Sequence, residues 1–222
     1  GLYGNSSAAA TGQGEAIRFF HSTAATADQV GLHVENCHFE NFKADAWILC
    51  YTENTTYRMK KIRFIDNTVQ SSTGNVLDGS TLGVMSNVIA VAGAIAGTSY
   101  VEDVIISGNV ADGTYIKRFA DMWYGSTNCQ ITDNILKDFG ADASITDTGG
   151  AYAIMAYDSS FVNSPNGITV ARNTIDGVRA CGIYMAGARD VHIADNIIRN
   201  QTDTSDASMP KGGICMNACW DY

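Results

Sequence analysis

Four aromatic residues, Phe20, Tyr51, Trp123 and Tyr157, each stand three places after an apolar residue, Ile17, Ile48, Ala120 and Ile154. If those apolar residues point inward from successive strands, the aromatic ones form an outward column with a step of about 4.8 Å. Sugar rings present C–H faces that stack on aromatic planes, and their hydroxyls need polar neighbours. Acids accompany the column: Asp121 lies one place past Ala120, Asp158 follows Tyr157 and Glu53 follows Tyr51 by two. Glycoside hydrolysis needs a proton donor and a second carboxylate, separated by about 5–5.5 Å in retaining enzymes and about 6.5–9.5 Å in inverting ones. The candidate catalytic residues are therefore Asp121, Asp158 and Glu53. The candidate substrate-binding residues are Phe20, Tyr51, Trp123, Tyr157, Tyr184 and Arg18. The bland alternative is that the aromatics bury against a subunit or a loop, and that each acid is solvated or caps a turn.

What must position these residues is a repeat. The phrase apolar-x-apolar-x-x-Asn-x-apolar recurs at Ile62/Phe64/Asn67/Val69, Val104/Ile106/Asn109/Ala111, Cys129/Ile131/Asn134/Leu136, Ile168/Val170/Asn173/Ile175 and Val191/Ile193/Asn196/Ile198. A first copy, Leu32/Val34/Cys37/Phe39, has Cys in the Asn place. Apolar residues two apart mark a strand with one buried face, and the Asn marks a bend. The anchors are unevenly spaced, which a coil of short strands tolerates because any corner can lengthen without disturbing the next turn. Stacked Asn amides are expected to bond to each other and to neighbouring backbone. Asp66, Asp133 and Asp195, each just before an anchor, are expected to satisfy turn N–H groups. A second strand follows in each rung, around Ile17, Ile48, Ala120, Ile154, Ile183 and Ile214. The apolar stretch 84–96 is expected to form a buried strand pair in the longest rung.

The run from Ile168 to Asn196 resembles the right-handed parallel β-helix repeat of the pectate-lyase-like superfamily. The resemblance covers Ile17 to the C-terminus. It implies an all-β, right-handed, single-stranded parallel β-helix of about six to seven rungs, starting near residues 32, 62, 104, 129, 168 and 191, with residues 1–222 as one domain. The superfamily includes polysaccharide lyases, glycoside hydrolases, epimerases, bacteriophage tailspikes and non-catalytic adhesins, so the fold leaves activity open. Irregular rungs and free cysteines make the chain most similar to a tailspike or depolymerase segment. That implies a polysaccharide partner, a homotrimer, and an extracellular or virion-surface location. A lyase would need cationic clamps, for which Arg18, Lys60, Lys61, Arg63, Lys117, Arg118, Arg179 and Arg189 are available. A non-catalytic structural or adhesive solenoid is the alternative from another class.

Composition narrows the partners. The 222 residues carry 23 acids against 14 bases, a net charge of −9, which opposes nucleic-acid binding. No apolar run is long enough to insert in a membrane. The six cysteines form no CxxC pair and no Cys/His zinc pattern, and Cys37, Cys50 and Cys129 are expected in the core or at an anchor. No Asp-rich calcium nonapeptide is present. Neither metal nor cofactor is expected, and His21, His33, His38 and His192 are assigned to surface or turns. Polar insertions at 140–150 and 201–213 occupy one corner of their rungs and are expected to wall a groove. The absence of a leader, and an end that falls just after a rung begins to close, suggest a segment of a longer polypeptide or an end capped by a partner.

Overall fold

The computed structural model describes residues 2–3, 16–40, 46–71, 87–93, 100–141, 151–158, 162–202, 212–217 and 219. Within them the chain winds repeatedly through three parallel sheets, and each strand pairs with its counterpart one turn away. Sheet I contains β2 (Ile17–His21), β5 (Ala46–Thr52), β8 (Asn87–Ala92), β11 (Arg118–Trp123), β14 (Tyr152–Tyr157), β17 (Cys181–Ala186) and β20 (Gly212–Asn217). Sheet II contains β3 (Gln29–Glu35), β6 (Met59–Ile65), β9 (Val101–Ser107), β12 (Ser126–Thr132), β15 (Asn166–Ala171) and β18 (Arg189–Ala194). Sheet III contains β1 (Leu2–Tyr3), β4 (His38–Glu40), β7 (Thr68–Gln70), β10 (Val110–Asp112), β13 (Ile135–Lys137), β16 (Thr174–Asp176) and β19 (Ile197–Arg199). This is a parallel β-helix.

The repeated phrase spans two of these sheets. Its first apolar residue aligns as Leu32, Ile62, Val104, Cys129, Ile168 and Val191 in sheet II. Its last forms the column Phe39, Val69, Ala111, Leu136, Ile175 and Ile198 in sheet III. Sheet I supplies the third wall of the core, with Ile17, Ile48, Ile89, Ala120, Ile154 and Ile183 in register; Ile214 continues the register on the last strand but is exposed. Side chains from all three walls meet in one apolar core, through which Phe39, Phe64, Phe119 and Phe139 run with ring centroids 5.9–6.4 Å apart. Burying each such side chain is worth about 1.5–3 kcal/mol.

Two local expectations need correction. Of the stretch 84–96, residues 87–93 are described and hold one strand, β8, the sheet I strand of its rung, rather than a pair; the remainder lies outside the described residues. The places before the anchors, Asn36, Asp66, Gly108, Asp133, Arg172 and Asp195, share a left-handed backbone with φ from 52° to 70°. Asn, Asp and Gly tolerate that conformation best, so backbone shape is the common requirement. Arg172 meets it without any acceptor, and its guanidinium binds Asp133 of the neighbouring rung through two 2.8 Å hydrogen bonds. At Gly108 a Cβ would come within 2.0 Å of Asp66 Oδ1. A second left-handed column, Gly31, Lys61, Asp103, Asn128, Gly167 and Asp190, puts a kink in every strand of sheet II.

The anchor amides form a continuous ladder. Asn67, Asn109, Asn134 and Asn173 each donate from both backbone N–H and Nδ2 to Oδ1 of the next anchor, at 2.9–3.1 Å. Each Nδ2 also reaches a main-chain carbonyl of the preceding rung, for example Asn134 to Ile106 at 3.0 Å. Cys37 ends the series: its N–H donates to Asn67 Oδ1 at 2.9 Å, but the thiol cannot extend the amide chain.

Cys50 and Cys129 are core residues, and burial pushes both thiols up to about 12. Among the described residues no helix is long and apolar enough to cross a membrane.

Candidate functional site

The outer face of sheet I owes its layout to a break in strand alternation. Phe119 and Ala120 are consecutive, yet both are buried in the core. Arg118 and Asp121 on either side therefore emerge on the same outer face, where Arg118 Nη1 donates to Asp121 Oδ2 at 2.9 Å. The equivalent positions one rung on, Tyr152 and Met155, belong to a separate apolar cluster with Ala180 and Cys181.

The expected aromatic column is in register, with one interruption. Phe20 pairs with Tyr51 and Tyr51 with Ala92, while Trp123 pairs with Tyr157 and Tyr157 with Ala186. Ala92 thus divides the column into two aromatic pairs. Phe20 and Tyr51 stack with centroids 5.9 Å apart, and Trp123 meets Tyr157 edge-on at 6.2 Å. All four rings are half-buried, with part of each surface open to solvent. The exposed Arg18 carries its guanidinium 5.1 Å from the centre of the Phe20 ring. Tyr184 lies in the adjacent column, opposite Met155, and stacks on Tyr152 at 4.7 Å. Burial raises the Tyr184 phenol, and its main contact is with the outer apolar cluster.

The three acids occupy unlike places. Asp121 is 0% exposed and accepts hydrogen bonds from Arg118 and from Asn87 Nδ2, the latter at 3.1 Å. Burial raises its carboxyl above the usual range, against the opposing pull of the Arg118 charge. Asp121 Oδ1 and Asn87 Oδ1 are buried without a hydrogen bond. Asp158, 1% exposed, holds the turn after β14: its N–H donates to Ala186 O at 2.9 Å, and its Oδ2 accepts the Asn163 N–H at 3.3 Å. Glu53 is exposed in the turn after β5, two rungs before β11, which is roughly 10 Å along the coil axis. Its charge adds to burial in raising the Tyr51 phenol.

Tyr124, absent from the sequence reading, joins these groups. Burial raises its phenol, and the charges of Tyr51, Asp158, Asp121 and Tyr157 act on it as well. The adjacent Trp123-Tyr124 pair, whose rings meet edge-on at 5.5 Å, was the available signal. Asn87 was also missed, and Arg118, named only as one of several available clamps, was not foreseen beside Asp121, because their approach to it depends on the strand bend. The structure therefore brings Asp121 and Asp158 to one end of the column but withdraws both from solvent, and leaves Glu53 accessible and apart.

The histidines divide differently from expectation. His21 is buried in β2, with Nε2 3.0 Å from Ala27 O, while His33 and His192 are exposed and His38 is half-buried. Among the described residues no three His, Cys, Asp or Glu side chains converge as metal ligands. The insertions at 140–150 and 201–213 lie for the most part outside the described residues.

Residues 1–198 match a family described as the right-handed beta helix region. The chain has no match among the curated proteins or among the solved structures.

Proposed function

Because the chain belongs to the right-handed β-helix family, a fold that serves both carbohydrate-active and structural proteins, we propose that the outer face of sheet I binds a polysaccharide. The observation that carries this is the two half-open aromatic pairs, the stacked Phe20–Tyr51 and the edge-on Trp123–Tyr157, aligned along the coil axis. Rings in such a row offer successive stacking platforms to a linear glycan. Arg18 and Glu53 supply polar partners at one end, and Tyr124 does so at the other. The reading extends to a tailspike-like protein, homotrimeric and working at a virion surface or outside the cell.

In the cleaving form of this function, Asp121, whose carboxyl burial raises above the usual range, is the proton donor, and Asp158 or Glu53 is the second carboxylate. Lyase chemistry on the same face would use Arg18 as the clamp on a substrate carboxylate. The burial of Asp121 and Asp158 favours a second reading, a non-catalytic adhesive solenoid that holds the glycan without turning it over.

Incubation with a panel of capsular and plant polysaccharides distinguishes these forms. New reducing ends without ultraviolet absorbance identify a hydrolase, absorbance from an unsaturated uronate identifies a lyase, and binding without either identifies an adhesin. Failure to bind any polysaccharide in the panel, the native host's glycan included, would sink the proposal.

A further inference from the structure

A second concavity lies at the corner between sheets I and II. It has a volume of about 220 Å³, below the roughly 300 Å³ of a drug-sized pocket, so it has room for one sugar ring rather than several. One wall is a register column of sheet II: Glu102, Thr127, Asn166 and Arg189 stand on four successive rungs. Tyr100, just before β9, closes one end. The opposite wall is formed by Val162, Asn163 and Ser164, shortly before β15. The Ser164 hydroxyl is buried and makes no hydrogen bond.

The lining mixes a carboxylate, two amides, two aliphatic hydroxyls, a guanidinium, one tyrosine ring and the side chain of Val162. The lining itself carries one charge of each sign, on Glu102 and Arg189, and Glu102 is also paired with Arg58, whose guanidinium lies 5.5 Å from the Tyr100 ring centre. Alternating donors and acceptors around a small volume suit the hydroxyls of a pyranose, whereas an anion would require a surplus of donors and an apolar ligand a drier wall. The cleft is also tied to the aromatic face. Asn163, in the cleft wall, donates its N–H to Asp158 Oδ2 and accepts the Gly125 N–H at 2.6 Å, one residue past Tyr124.

We infer that this cleft is an additional subsite that takes one sugar ring of a glycan whose other rings lie on the aromatic column. The inference rests on the polysaccharide-binding reading of sheet I. Asn163, which lines the cleft, is hydrogen-bonded to Asp158, which directly follows Tyr157 of the column, so a glycan reaching from one place to the other would occupy both.

The test uses the full chain on an array of immobilised glycans graded in length, with affinities taken from a concentration series. The variants are Trp123→Ala on the column and Asn166→Ala/Arg189→Ala in the cleft, both cleft side chains being exposed. Losing two such polar contacts is expected to weaken the longer bound glycans by about tenfold and leave the shortest bound glycan unchanged. Trp123→Ala is expected to weaken both lengths. Wild-type affinity at all lengths in the cleft variant, or equal weakening at every length, overturns the subsite. If the cleft variant weakens long glycans while Trp123→Ala weakens none, the column reading fails and the cleft stands as a sugar site. No binding by the wild-type chain to any arrayed glycan overturns both.

Discussion

Replacing Asn134 by alanine cuts the amide ladder at its centre. The side chain makes four hydrogen bonds: Nδ2 to Asn173 Oδ1 and to Ile106 O, and Oδ1 from the N–H and Nδ2 of Asn109. These losses are unequal. Asn109 Nδ2 keeps Phe64 O and Ser107 O, and Asn173 Oδ1 keeps the Asn134 backbone N–H. The Asn109 N–H keeps nothing, at a residue that is 0% exposed. An orphaned buried donor costs about 2 kcal/mol, and the other three bonds contribute about 0.5–1 kcal/mol each, so the expected loss is about 4 kcal/mol. Asn196 at the ladder's end makes comparable bonds, and its truncation also uncaps the N–H of the buried Asn173, but Asn196 is half-exposed, so the space it leaves opens to water that can take over that donor. Asn196→Ala should cost about 1 kcal/mol. Equilibrium urea unfolding followed by far-ultraviolet circular dichroism measures both. Equal losses in the two variants, or a loss under 1 kcal/mol for Asn134→Ala, would refute the ladder as a cooperative support.

Three further outcomes follow from the same geometry. Cys37→Asn adds an amide where the ladder now stops and should raise stability by about 1 kcal/mol in the same urea experiment. Arg118→Met leaves the Asp121 carboxyl buried without its cation and should cost about 3–5 kcal/mol, whereas Arg118→Met/Asp121→Leu should cost less than the single change. With burial raising the Cys50 and Cys129 thiols to about 12, almost no thiolate exists at pH 8, so both should react with a thiol reagent only after unfolding, while half-buried Cys37 and Cys215 react in the native state.

Much of the coil was legible because it depends on local, repeated requirements. A core strand needs apolar residues at a fixed period, and the anchor needs a carboxamide, whose NH2 donates to one neighbour while its oxygen accepts from another, which only Asn or Gln provides. The register of Ile17, Ile48, Ala120, Ile154 and Ile183 followed from that period. Other features were hidden because their physical requirement does not select one residue type. The kink in sheet II is filled by Gly, Lys, Asp and Asn alike, so Lys61 gave no sign of it. Ala92 broke the aromatic column in the one rung whose sheet I strand had been read as a pair. At the candidate site, alternation correctly sent Asp121 outward but could not show that this part of the outer face is itself covered. The bend at Phe119 and Ala120 brought Arg118 to it, and no spacing in a regular strand would have done so.

The central claim is that a glycan lies along the aromatic column of sheet I. Affinity electrophoresis through gels cast with each polysaccharide of the panel tests it directly, comparing the wild-type chain with Trp123→Ala/Tyr157→Ala. The expected result is retardation of the wild-type chain by at least one polysaccharide and free migration of the variant, with both proteins showing the same circular dichroism. Equal retardation of a folded variant and the wild-type chain would contradict the claim.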